Sequence, residues 1–501
     1  MHKNKIIFIN ILFLFLGLFW IYRCNIWTDE NWYYNGAVLF SKGYLPYIDF
    51  FYHRLPLHIE FYGILFKIFN SSFIFGRIIS LGLFIILINL TAYIIYQMYG
   101  NTKLVLLTYI AYLNPLCLYG YLTNSTYSLN ALLIIITISL FYWRWRLEHK
   151  IFFFIIFNFL ILSNRYIIDY QTVFLSLIII GLIYKFWNNH KILLYIISST
   201  IIGILFIAKY FIIYGDTNIV YDTIVYNFSL KNILVTNGVN LPSGVVENIV
   251  QFARIRFAEF DSYYPFNIMA ILAIFFIVHS FVKKRKFELI HYYIIAILLF
   301  NILFYYATID DWPVGKLYIY PLLIILSIIF VNKITKTFKI KFSFYFFILL
   351  FLTQGLSVGR NFITTNYNQS DIYELNKVSK RIDKYADEGL MLTFTPLLSN
   401  SGIITEPLLN MEMFSFRPDL NSSEAKKIRV LNVDLLLEKI SVGTYSIIVL
   451  SDERFFNGRS VAKTITPYKE EIINTIMKKY ELKEIVNSGN FRSSFQIYGK
   501  K

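Results

Sequence analysis

Residues 27–60 read WTDENWYYNGAVLFSKGYLPYIDFFYHRLPLHIE and lie between one apolar run and a long series of others. The stretch gathers Asp29, Glu30, Asp49, His53, Arg54 and His58 in a chain where only 16% of residues are charged. Thr28 is a good helix N-cap, and Asp29 and Glu30 fall in the first turn of a helix expected to run to about Lys42. Carboxylates there complement the helix dipole by roughly 0.3–1 kcal/mol, so capping alone would account for the pair. The expected apolar face, Tyr33, Gly36, Ala37 and Phe40, suits a helix lying along a membrane surface. Pro56 then opens a second helix, Leu57 to Phe69. Capping does not account for Asp49, set among aromatic residues in Tyr-Ile-Asp-Phe-Phe-Tyr. An acid in such a place is costly unless it is paired or used, and Arg54 and His53 are its nearest expected partners.

Outward from this stretch the composition is that of a membrane protein. Of 501 residues, 57% are hydrophobic, 49 are Phe and 40 are Tyr, and the mean hydropathy is +0.55. Apolar runs long enough to cross about 30 Å of hydrocarbon as helices recur along the chain. They fall near 6–24, 76–97, 104–120, 128–143, 151–168, 171–187, 192–213, 266–282, 288–308, 317–332 and 343–359. The expected fold is therefore an α-helical polytopic membrane protein of about eleven transmembrane helices. The first run follows Lys3 and Lys5 and lacks a small-x-small cleavage site, so it is expected to remain as a span.

A net charge of +16 would suit a nucleic-acid partner, but the basic residues sit in short clusters between apolar runs and none is expected. If the spans alternate, Lys103, Arg144/Arg146/Lys150, Lys185/Lys191, Lys283 to Lys286 and Lys333/Lys336/Lys339/Lys341 share one side. The positive-inside bias makes that side cytoplasmic, together with the N-terminus. The 25–75 and 214–265 loops, the 309–316 turn and the tail after Arg360 are then extracytoplasmic. The two cysteines, Cys24 and Cys117, form neither a disulfide framework nor a metal-ligand spacing.

Beyond Asn361 the chain reads as a small α/β domain, so the expected division is 1–360 in the membrane and 361–501 outside it. Helices are expected at Asp371 to Tyr385, Ser423 to Ile440 and Pro467 to Tyr480. Strands are expected at Leu390 to Phe394 and Tyr445 to Leu450, with a closing hairpin of Leu482 to Val486 and Phe491 to Tyr498.

The order Asp29-Glu30, Tyr33 or Tyr34, Gly43, Asp49-Phe50-Phe51, Arg54-Leu55-Pro56-Leu57 and Arg77-Ile78-Ile79-Ser80 resembles the first outer loop of the GT-C glycosyltransferases. The similarity is closest to the branch of protein O-mannosyltransferases and lipid A aminoarabinose transferases. Where many of those relatives carry a Lys-Pro-Pro run, this chain has Arg-Leu-Pro. A second match is Lys316-Leu317-Tyr318-Ile319-Tyr320-Pro321-Leu322-Leu323, similar to the run that opens a late span in the same branch.

The resemblance implies transfer of a sugar from a polyprenyl-phosphate carrier to a glycan, lipid or protein acceptor on the outer face, with inversion at the anomeric carbon. It implies Asp29 as the base that takes the acceptor proton, with Glu30 as the alternative and Asp49 supporting the acceptor or orienting a neighbour. Arg54, Arg77, Arg165 and Lys316 are the implied ligands of the lipid phosphate. Arg165 and Lys316 read equally as cations snorkelling from span ends into membrane lipid headgroups. Asp310-Asp311 reads first as a solvated turn, so no metal or other cofactor is expected, and His53 and His58 read as interfacial polar residues. Two other classes compete: a lipid-linked saccharide transporter or flippase, which would line its spans with polar residues, and an O-antigen ligase or polymerase, which would carry its key cations in a late outer loop.

Overall fold

The computed structural model describes residues 3–26, 28–69, 71–164, 170–225, 272, 275–276, 278–280, 317–338, 371–386, 389–395, 397–398, 403–411, 415–451, 465–488 and 493–501. Its membrane part is helical: α1 (Lys3–Arg23), α4 (Phe73–Tyr99), α5 (Thr102–Tyr112), α6 (Pro115–Tyr121), α7 (Thr126–Ser139), α8 (Leu147–Leu162), α9 (Tyr170–Lys185), α10 (His190–Tyr214) and α12 (Tyr320–Phe338). Three of these, from Ile6, Phe73 and His190, are long and apolar enough to cross a membrane unaided. The protein is a membrane protein. Polar caps punctuate the apolar runs: Ser72 accepts from the Phe75 N–H at 3.1 Å, Asn101 from Lys103 at 2.9 Å and Asn189 from Ile192 at 3.2 Å.

The expected span 104–120 is broken at Pro115, which ends one helix and begins the next. The expected spans 288–308 and 343–359 lie outside the described residues, as does most of 266–282. Close helix contacts depend on missing side chains. A Cβ on Gly203 of α10 would stand 2.0 Å from the Phe159 ring of α8, and one on Gly76 of α4 would stand 2.0 Å from Asn124 Oδ1.

Two further helices fill the first loop, α2 (Thr28–Ser41) and α3 (Leu57–Ile68), close to their expected bounds. Helix α2 does not lie on a surface as its apolar face suggested. Trp32, Tyr33, Tyr34, Ala37, Val38 and Leu39 are all buried, and so are the polar Glu30, Asn31 and Asn35, so the helix is enclosed on all sides. Helix α3 packs against it, with Ile59 close to Gly36.

The other cover is the C-terminal α/β unit. Its five strands run in the order β2-β1-β3-β5-β4: β1 (Leu390–Thr393), β2 (Ile404–Thr405), β3 (Tyr445–Ser451), β4 (Tyr480–Ser488) and β5 (Ser493–Lys500). The strands β1, β2 and β3 are parallel, and β4 and β5 form the expected hairpin, with β5 pairing antiparallel to β3. The expected helix 423–440 is two helices, Ser422–Lys427 and Val433–Ser441, parted where Arg429 takes a left-handed backbone with φ 58°. This unit grips the first loop directly. Asn35 of α2 donates to Asn410 at 3.0 Å and accepts from Thr405 at 2.8 Å, and Asp371 accepts from the Ile26 N–H at 2.7 Å.

Candidate active site

The adjacent carboxylates Asp29 and Glu30 have different surroundings because successive residues on a helix face different ways. Glu30 is fully buried and forms a forked ion pair with Arg77 of α4, Nε to Oε1 at 2.8 Å and Nη2 to Oε2 at 2.7 Å. It also accepts from the Asn124 N–H at 2.8 Å. Arg77 gives its remaining donors to the carbonyls of Ile21, Cys24 and Asn25 at 2.9, 3.1 and 3.3 Å. All of the guanidinium's N–H groups are thereby engaged, leaving none for a ligand. Asp29, half-buried, is the member of the pair that remains partly accessible.

Arg54 is the cation that the fold brings to this place. Its guanidinium donates to Thr126 Oγ1 and to the Tyr318 hydroxyl, both at 2.9 Å, and lies 5.3 Å from the centre of the Tyr33 ring. Thr126 and Tyr318 are themselves 2.6 Å apart, and Tyr318 packs against Tyr127. Asp29 and Arg54 both lie within electrostatic reach of the Tyr33 and Tyr127 phenols. Nearby, Asn164 donates to Asn130 at 2.9 Å, and the Ser163 carbonyl accepts the first N–H of α3 at 3.1 Å.

The other expected site residues are placed differently. Asp49 accepts from the Leu45 N–H at 2.7 Å and closes the 45–50 turn, instead of pairing with Arg54 or His53. Arg165 and Lys316 lie outside the described residues, as do Asp310 and Asp311. His53 and His58 are buried, not interfacial. His53 Nδ1 meets Met411 Sδ at 3.2 Å, and the His58 ring lies against Tyr62 and Tyr33 with centroid separations of 4.4 and 5.2 Å. Burial, with the Arg54 cation adding to it, holds both imidazoles neutral: His53 well below its usual range and His58 pushed down to about 3.

Sequence reasoning missed Thr126, whose run Thr-Asn-Ser-Thr-Tyr-Ser-Leu-Asn is unusually polar for a span entrance. It also missed Tyr318, which sits inside the quoted Lys316 motif while attention fell on the lysine. Asp222 and Arg429, a buried ion pair between the loop after α10 and the C-terminal unit, carried no spacing signal.

Apolar helices, two buried helices in the first loop and an α/β unit folded onto that loop make up a fold that is shared with proteins of known structure. No protein-family model and no curated protein sequence matches the chain. Solved structures do. ArnT from Cupriavidus metallidurans bound to undecaprenyl phosphate superposes with a TM-score of 0.59 at 8% identity, over 99% of this chain and 98% of that one. The same protein in its apo state gives 0.51 at 10% identity with the same coverage.

Proposed function

We propose that this protein is an inverting glycosyltransferase that takes a sugar from a polyprenyl-phosphate carrier and gives it to a glycan, lipid or protein acceptor at the outer face of the membrane. The observation that carries the reading is the meeting of Arg54 with Tyr318 beside Asp29, which joins the two motif regions that resemble GT-C enzymes. The likeness of the whole chain to ArnT, solved with undecaprenyl phosphate, supports the same donor class.

In this reading Asp29 takes the acceptor hydroxyl proton as that oxygen attacks the anomeric carbon, the sugar–phosphate bond breaks, and the bond electrons leave with the lipid phosphate. Arg54 neutralises the departing phosphate from a fixed position, because Thr126 and Tyr318 hold its guanidinium. Glu30 and Arg77 hold the loop to α1, α4 and α7 and take no part in the chemistry. Asp49 shapes the turn before Arg54. Arg165 and Lys316 remain proposed phosphate ligands, the residues 1–360 are the proposed membrane domain and 361–501 the proposed outer domain. Membranes holding the wild-type chain should transfer label from a polyprenyl-phosphate sugar, and those holding D29N should not; equal transfer by the two would remove Asp29 from its role.

A further inference from the structure

Among the described residues, two non-glycine positions have a positive φ, Tyr47 at 63° and Arg429 at 58°. Left-handed backbone is costly for a bulky side chain and persists where the surroundings enforce it, often beside a functional group. The two lie far apart in sequence, yet their contacts reach opposite ends of one three-residue segment, Tyr47 at Arg54 and Arg429, through Asp222, at Tyr52. The buried Tyr47 hydroxyl donates to the carbonyl of Arg54. Arg429 pairs with Asp222 at 2.5 Å, and the other oxygen of Asp222 accepts the Tyr52 N–H at 3.3 Å. Asp222 itself lies in a π-helical turn, Tyr221–Val225, a local form that is rare and concentrated at functional positions. Between Tyr52 and Arg54, His53 meets Met411 of the C-terminal unit.

The segment 52–54 is thus held at each residue from outside, and two of the three anchors reach into the C-terminal unit. Fixing the main chain there fixes where the Arg54 side chain starts. Its far end is fixed separately by Thr126 and Tyr318. We propose that Tyr47, Asp222 and Arg429 are positioning residues for the Arg54 guanidinium, and that the C-terminal unit is thereby a required part of the donor-phosphate site. This rests on the reading of Arg54 as a phosphate ligand.

The test uses the full chain in lipid nanodiscs, with binding of undecaprenyl phosphate and sugar-transfer kinetics as readouts, for wild type, R54A, Y47F, R429A and R429K. We expect R54A to lose most of the phosphate affinity. Y47F and R429A each weaken it by about tenfold, raise the donor KM by a like factor and leave the acceptor KM unchanged, while R429K recovers part of the loss. Y47F removes one oxygen and keeps the ring, so it carries the test where R429A does not fold. Unchanged phosphate affinity in Y47F and R429A alongside a weakened R54A would overturn the inference and leave the reading of Arg54 standing. An R54A protein that binds as wild type does would overturn both. Equal falls in folded fraction and activity, with unaltered KM values, would reduce the three residues to a purely structural role and overturn the inference as well.

Discussion

Arg54 and Tyr318 stand 264 positions apart in the chain, and the guanidinium nitrogen of one lies 2.9 Å from the phenol oxygen of the other. A hydrogen bond to a charged group contributes roughly 1.5–3 kcal/mol, and here it also fixes a flexible side chain. Y318F should therefore raise the donor KM roughly tenfold with a smaller effect on kcat. R54K keeps the charge but loses the planar guanidinium whose Nη1 reaches both Thr126 and Tyr318, so it should fall closer to R54A than to wild type. Steady-state kinetics with a polyprenyl-phosphate sugar read both.

The neighbouring carboxylates should separate cleanly. D29N removes a base, and activity should drop by roughly 10²–10⁴-fold in a protein of normal stability and normal donor binding. E30Q leaves Arg77 buried without its counter-charge, which costs about 3–5 kcal/mol. Its expected result is loss of folded protein, with the folded remainder still active. Thermal unfolding in detergent, set beside turnover per folded molecule, distinguishes the two.

His58 gives a dependence on pH whose sign follows from its burial. The unfolded imidazole takes a proton near its usual value, but the folded one resists protonation down to about 3. A depressed pKa in the folded state contributes stability above the unfolded value and loses it as pH falls, here between about 6.5 and 3. At pH 5 this amounts to about 2 kcal/mol. H58Q cannot titrate, so the stability lost between pH 7 and pH 5 should be smaller in H58Q than in wild type, measured as a shift in Tm.

Gly76 tests the packing behind Glu30. Its hydrogen faces Asn124, whose N–H holds the Glu30 carboxylate, and a Cβ there would meet Asn124 Oδ1 at 2.0 Å. G76A should cost about 1–3 kcal/mol and disturb the first turn of α2, read as a fall in Tm and in yield.

Much of this architecture was legible in the residues. Apolar run lengths predict most of the described helices of the membrane part, and strand and helix periods predict most of the C-terminal elements. The convergence of the site was not legible, because periodicity reports local structure and Arg54 meets Tyr318 across most of the chain. Glu30 was read as a dipole complement because the first turn of a helix explains an acid; its partner Arg77 lay in the motif order, but nothing local linked them. The enclosure of α2 had a signal that the amphipathic reading passed over: Trp32, Tyr33, Tyr34, Ala37, Val38 and Leu39 leave no polar side wide enough to face water. The break at Arg429 was invisible because an ion pair with Asp222 overrides helical preference there.

The position of α2 between α3 and the C-terminal unit also sets a schedule for biogenesis. Asn35 must wait for Asn410, 375 residues further along, before its side chain finds its partner. At ordinary rates of translation that interval is about 20–75 s. Through all of it a helix rich in aromatic residues stands without its C-terminal cover. A product truncated before Asn410 therefore exposes that apolar surface and offers it to the cell's surveillance of unfinished chains.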